Sequence, residues 1–176
     1  MTMLNELAEF DAKLEGRSKY TTILKIGITP EGQYCVGKNQ EPIKGWLGRK
    51  AILDALKAIT FAPVTAEDPF ALRVTGRQRL VFNLAPDAWF YQQTLAPYVL
   101  QTADPLGNFK DLTMLYDDPY DLGRSKTLYV TDENKKKELI PYHYDLLMDV
   151  WQAPADINSA RMPTVIDPKV GNENGG

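Results

Sequence analysis

Asp145-Leu146-Leu147-Met148-Asp149-Val150-Trp151 is the stretch on which the fold class turns. An apolar run interrupted by carboxylates, it reads as a last short helix. With the strand-like runs upstream, that helix predicts an α+β fold, because strands interrupted by a few helices pack as a sheet with helices against it. The expected architecture is a single domain over residues 1–152, with a mixed or antiparallel sheet and three to four short helices. An extended or disordered C-terminal tail over 153–176 completes it.

Moving upstream, Lys135 to Ile140 suits either a helix or a strand returning against Leu128–Val130. Thr127-Leu128-Tyr129-Val130 and Leu112-Thr113-Met114-Leu115-Tyr116 read as strands. Pro86 and Asp87 suit the first turn of a short helix carrying Trp89 and Phe90, which breaks near Pro97. Ala71–Val74 and Arg79–Leu84 read as two strands joined around Gly76. A helix from Gly48 to Thr60 places Ile52, Leu53, Leu56 and Ile59 on one face. The β-branched run Lys19–Thr29 meets the turn formers Pro30-Glu31-Gly32 and continues into Gln33–Val36, which predicts a hairpin. Thr2 to about Leu14 carries Leu4, Leu7, Phe10 and Leu14 at helical spacing, with Thr2 to cap it and Gly16 to end it.

Downstream, Pro154, Pro163, Pro168 and the closing Gly171-Asn172-Glu173-Asn174-Gly175-Gly176 deny residues 153–176 a core of their own. Met162, Val165, Ile166 and Val170 keep some apolar grip there. Such a segment is either a loose terminus or an arm that orders against a partner, by strand addition for instance.

The chain has 176 residues, 44% of them hydrophobic and 24% charged. That length buries a core without disulfides or metals. With one cysteine, Cys35, and one histidine, His143, an internal disulfide is impossible and a zinc site would need carboxylate ligands. No cofactor is implied. The first residues lack a basic, signal-like start, and no run reaches the about 18 apolar residues of a spanning helix. A cytoplasmic protein that does not engage membranes is the expectation.

Charge is divided unevenly. Residues 1–80 carry 12 Lys/Arg against 9 Asp/Glu, a net of +3; residues 81–176 carry 8 against 14, a net of −6. Within 17–80, eleven cations face five carboxylates and interleave with Tyr20, Tyr34, Trp46 and Phe61. Cations that neutralise phosphates beside aromatics that stack on bases are the footprint of a nucleic-acid binder. The candidates are Lys19, Lys25, Lys38, Lys44, Arg49, Lys50, Arg73, Arg77 and Arg79, with Trp46.

Other motifs are weaker. Gly32-Gln33-Tyr34-Cys35-Val36-Gly37-Lys38-Asn39 nearly matches a phosphate-binding loop, but Asn39 replaces the metal-binding hydroxyl and Pro42 blocks the following helix. A hairpin with two glycines explains it better. Asp121, Glu133 and Lys135 resemble the carboxylates and lysine that metal-dependent nucleases use to hold a hard cation and place a water. His143 has no nucleophile placed beside it by the sequence, and Cys35 reads as a small buried hydrophobe.

No catalytic set outweighs its structural explanation, so the chain reads as non-enzymatic. The first expectation is a binding or assembly protein with oppositely charged halves and an apolar tail, associating with a protein partner or with itself. The alternatives are a nucleic-acid-binding accessory protein using 17–80 and a metal-dependent nuclease.

Overall fold

Lys19–Ile28 forms strand β1, and Tyr34–Lys38 returns beside it as the antiparallel strand β2, so the hairpin is present. Its register sets Gly27 opposite Cys35 and Leu24 opposite Lys38. The computed structural model describes residues 18–28, 34–39, 43–63, 72–74, 76–84, 88–90, 97–115, 125–135, 142–151, 161–166 and 169–172. The segments Thr2–Leu14, Pro30–Gln33 and Lys136–Ile140 lie outside the described residues.

The remaining elements follow in chain order. They are β3 (Ile43–Lys44), helix α1 (Arg49–Ala58), β4 (Ala62–Pro63), β5 (Leu72–Val74), β6 (Arg77–Leu84), β7 (Ala88–Phe90) and β8 (Tyr98–Leu100). Then come β9 (Phe109–Leu115), β10 (Thr127–Asp132), β11 (Tyr142–Trp151), β12 (Arg161–Ile166) and β13 (Lys169–Asn172). One sheet has the order β4-β2-β1-β6-β10-β9, with β3 also on β1; β1 and β6 run parallel and the other pairs antiparallel. The other sheet is centred on β11, which pairs with β12 and β13 along one edge and with β7 and β8 along the other. Strand β5 joins β13 in parallel.

Alternation along β1, β6 and β10 gives the first sheet two buried faces, since successive side chains point to opposite sides. Leu24, Ile26, Leu80, Phe82, Leu84, Leu128 and Val130 meet Leu72, Val74, Tyr144, Leu146, Met148, Ile166 and Val170 of the second sheet. Phe82, Tyr98 and Tyr144 pack together there, with Tyr144 ring centroids 5.4 Å and 5.3 Å from those of Phe82 and Tyr98. On the opposite face Ile23, Val81 and Leu115 meet Ile52 and Leu56 of α1. Among the described residues the fold is thus a two-sheet stack with one helix on the outer face of the first sheet.

The expected α+β class with three to four helices is overturned: the described residues are mostly strand, and α1 is the one helix among them. Trp89 and Phe90 lie on strand β7 rather than in a helix. The run from Asp145 to Trp151 belongs to β11, the strand that organises the second sheet. Tyr142, Tyr144, Leu146 and Met148 are buried while His143 is exposed, a period of two. Short apolar runs satisfy helix and strand patterns alike, and here pairing on both edges decides. The strands at 72–74 and 77–84 are present on either side of Gly76, yet they join different sheets.

Residues 161–172 contribute two strands that pair with β11 in one register on either side of Asp167 and Pro168. Ile166 and Val170 are buried between the sheets.

Candidate functional site

Helix α1 covers only part of the outer face of the first sheet. Below the apolar Ile23, Val81 and Tyr129, the same face turns polar. Arg79 sits between Thr21 on β1 and Thr131 on β10, and Thr131 faces Lys110 on β9. One step further along, Lys19 faces Arg77. Cross-strand partners share a face, so these side chains form one floor.

The segment Gly45–Gly48 lies over this floor, and backbone bonds fix it. Gly45 N donates to Lys19 O (2.7 Å), Thr21 Oγ1 donates to Gly45 O (2.8 Å), and Leu47 N donates to Thr21 Oγ1 (3.0 Å). Gly45 has φ +88°, a conformation that glycine adopts without steric cost. Arg79 Nη1 donates to Leu47 O at 2.8 Å. Trp46 is thereby set among cations: Lys19 Nζ is 4.6 Å, Arg77 Cζ 5.0 Å and Arg79 Cζ 5.4 Å from its ring centroid. Arg79 also lies 4.2 Å from the Tyr129 ring. The quadrupoles of both rings favour the positive charge, by about 0.5–2 kcal/mol per contact according to solvent exposure.

Glu133 reaches onto the floor from the end of β10. Its Oε2 accepts from Arg77 Nε at 2.6 Å and its Oε1 pairs with Lys110 Nζ at 2.8 Å. Burial disfavours the charged carboxylate, but the hydrogen bonds and charges of Arg77 and Lys110 outweigh it and hold the group below its ordinary range. Four cations, Lys19, Arg77, Arg79 and Lys110, therefore share the floor with one carboxylate. Three buried polar atoms here have no hydrogen-bond partner among the described residues: Trp46 Nε1, Arg79 Nε and Thr131 Oγ1.

Of the residues expected to bind nucleic acid, the fold gathers Lys19, Trp46, Arg77 and Arg79. It does not bring Lys25 to them. Lys25 Nζ donates to Leu56 O (3.2 Å) and Ile59 O (3.3 Å), closing the C-terminal end of α1, where a cation is favoured. Lys38 and Lys44 are exposed on β2 and β3, Arg49 and Lys50 are exposed in the first turn of α1, and Arg73 lies on β5 in the other sheet. Glu133 faces Arg77 and Lys110, Lys135 Nζ donates to Leu106 O at 3.0 Å, and Asp121 lies outside the described residues. Among the described residues, no three His, Cys, Asp or Glu side chains come together as a metal-binding group.

The phosphate-loop near-match runs through β2. Asn39 Oδ1 accepts from Ile23 N at 2.7 Å, so its amide serves the sheet. His143 is exposed and Cys35 is half-buried. Of the apolar tail residues, Ile166 and Val170 lie in the core, while Met162 and Val165 pair on β12 with Val150 and Leu147.

Lys110, Tyr129 and Thr131 were not singled out by sequence. The available signal was parity: Arg77 and Arg79 sit two residues apart in a strand and so share a face, and Glu133 follows Thr131 at the same spacing just past the end of β10. The register that brings the two pairs together is not written locally. Among the described residues, no helix is long and apolar enough to cross a membrane. No protein-family model, curated protein or solved structure matches the chain.

Proposed function

We propose that this chain is a non-enzymatic binding or assembly protein of the cytoplasm that takes an acidic macromolecular partner on the basic floor. One observation carries the reading: four cations against one carboxylate on the part of a sheet face that α1 leaves uncovered. Such a face raises encounter rates with acidic surfaces and orients them. A second copy offers an acidic surface, since residues 81–176 carry a net charge of −6. Contact between unlike faces of two copies builds rings or open chains. Light scattering across protein concentration and salt tests this. Association should weaken with salt and with Lys19→Glu. A monomer under every condition overturns self-assembly.

A nucleic-acid partner is the second reading, favoured by the Trp46 indole at the centre of the cations. Fluorescence anisotropy with labelled single- and double-stranded oligonucleotides tests it, and no binding at low salt removes it. The metal-dependent nuclease lacks comparable support, because both Glu133 oxygens are already held by Arg77 and Lys110.

A further inference from the structure

We infer that residues 46–48 are a lid, shut in this structure, that opens about Gly45 and Gly48 to admit an acidic partner to Arg79. The gate rests on the floor being the contact face proposed above. In the shut form the lid occupies that face itself. Arg79 Nη1 donates to Leu47 O at 2.8 Å, and Arg79 Cζ lies 5.4 Å from the Trp46 ring centroid. The Leu47 carbonyl thus holds the guanidinium that an oxyanion of the partner would bind more strongly.

The shut form is held lightly. Among the described residues, two hydrogen bonds tie 46–48 to the sheet, from Leu47 N to Thr21 Oγ1 at 3.0 Å and from Arg79 to Leu47 O. Against them, Trp46 Nε1 and Arg79 Nε are closed off from solvent with no hydrogen-bond partner among the described residues. Buried donors left unpaired oppose the shut form, and water reaches both once the lid lifts. The two ends can turn. Gly45 holds φ +88°, and a Cβ built on Gly45 or Gly48 would meet no atom within 4 Å among the described residues. Gly48 begins α1 without a side-chain cap, the first turn has no acidic residue, and Arg49 and Lys50 lie at the positive end of the helix dipole. The start of α1 is therefore a weak anchor, and weakly bonded segments open without global unfolding.

Hydrogen exchange of the full chain, read amide by amide, tests the motion without any partner. The Leu47 amide should be protected at least about a hundredfold less than that of Val81 in the central strand β6, and low urea should leave its protection unchanged. Binding of polyglutamate at low salt tests the gate. Gly45→Ala strains the backbone of the shut form alone, so the open fraction and the apparent affinity should both rise about five- to thirtyfold. Gly45→Asn, whose side chain tolerates the left-handed region, should fall between the native chain and Gly45→Ala.

The lid is overturned if Leu47 is protected as well as Val81, or if urea lowers the two protections in step. The gate is overturned if all three chains bind polyglutamate equally. A labelled oligonucleotide that gains affinity in the variants where polyglutamate does not assigns the gate to a nucleic-acid partner. If Leu47 opens locally and neither probe binds any form, the contact-face reading and the gate fall while the motion stands. If a probe binds and Leu47 exchanges only by global unfolding, the lid alone falls.

Discussion

Arg77 Nε donates to Glu133 Oε2 at 2.6 Å, with the two side chains 9% and 3% exposed. The pair ties the end of β10 to the start of β6 at the foot of the basic floor. Removing one member takes a buried charge from its closest partner, and Glu133 then keeps only Lys110. Arg77→Ala or Glu133→Ala should each lower stability in urea unfolding by about 3–5 kcal/mol. Replacing both by apolar residues, Arg77→Met with Glu133→Leu, should cost well below the sum of the single losses. Additive losses would show that the pair is not coupled.

The same contact sets an acid limit. Arg77 and Lys110 hold the Glu133 carboxyl below its ordinary range in the folded state. Its stabilisation is therefore complete above the unfolded pKa, about 4.3, and is lost as pH falls through the lower folded value. The stability gap between the native chain and Glu133→Gln should stay constant from neutral pH down to about pH 5 and close below that. A gap that persists undiminished to pH 2 would show that this carboxylate is not the titrating group.

Two residues hold positive φ for different reasons. Asp111 has φ 58° where the pairing of β9 with β10 shifts register, and it is exposed. Asn134 has φ 47°, and its Nδ2 donates to Val74 O (3.4 Å) and Gly76 O (3.3 Å). Glycine relieves the backbone at either site, but only Asn134 spends its side chain on buried carbonyls. Asp111→Gly should stabilise by up to about 1 kcal/mol. Asn134→Gly should destabilise by about 1–3 kcal/mol through the carbonyls it leaves unpaired. Thermal unfolding of the two variants decides, and equal shifts would refute the distinction.

Leu146 and Leu147 separate strand from helix in the run that organises the second sheet. In a helix they would lie about 100° apart around the axis, whereas in β11 they point to opposite faces. Leu146 is fully buried and Leu147 only half-buried. Leu146→Ala should cost about 2–5 kcal/mol, and Leu147→Ala distinctly less. Equal losses in chemical unfolding would contradict the strand.

What was legible in the chain was local. The hairpin of β1 and β2 follows from a β-branched run meeting Pro30-Glu31-Gly32, and α1 follows from Ile52, Leu53, Leu56 and Ile59 at helical spacing. Both signals operate within a few residues of chain. The gathering of basic and aromatic residues in 17–80 was visible too, including four of the groups now found around the floor.

Three matters were settled only in three dimensions. The run 145–151 is a strand because β7 and β8 on one edge and β12 on the other satisfy its backbone, partners distant in sequence. Lys25 went to the end of α1, and Glu133 went to Arg77, because buried carbonyls and carboxylates demand donors wherever the packing leaves them. Thr131 stands beside Arg79 because burying both faces of the first sheet fixes the register of β10 on β6, and a one-residue slip would turn every side chain to the other side. Composition and periodicity thus determined which groups this protein possesses, while the joint burial of two sheets and a helix decided which of them meet.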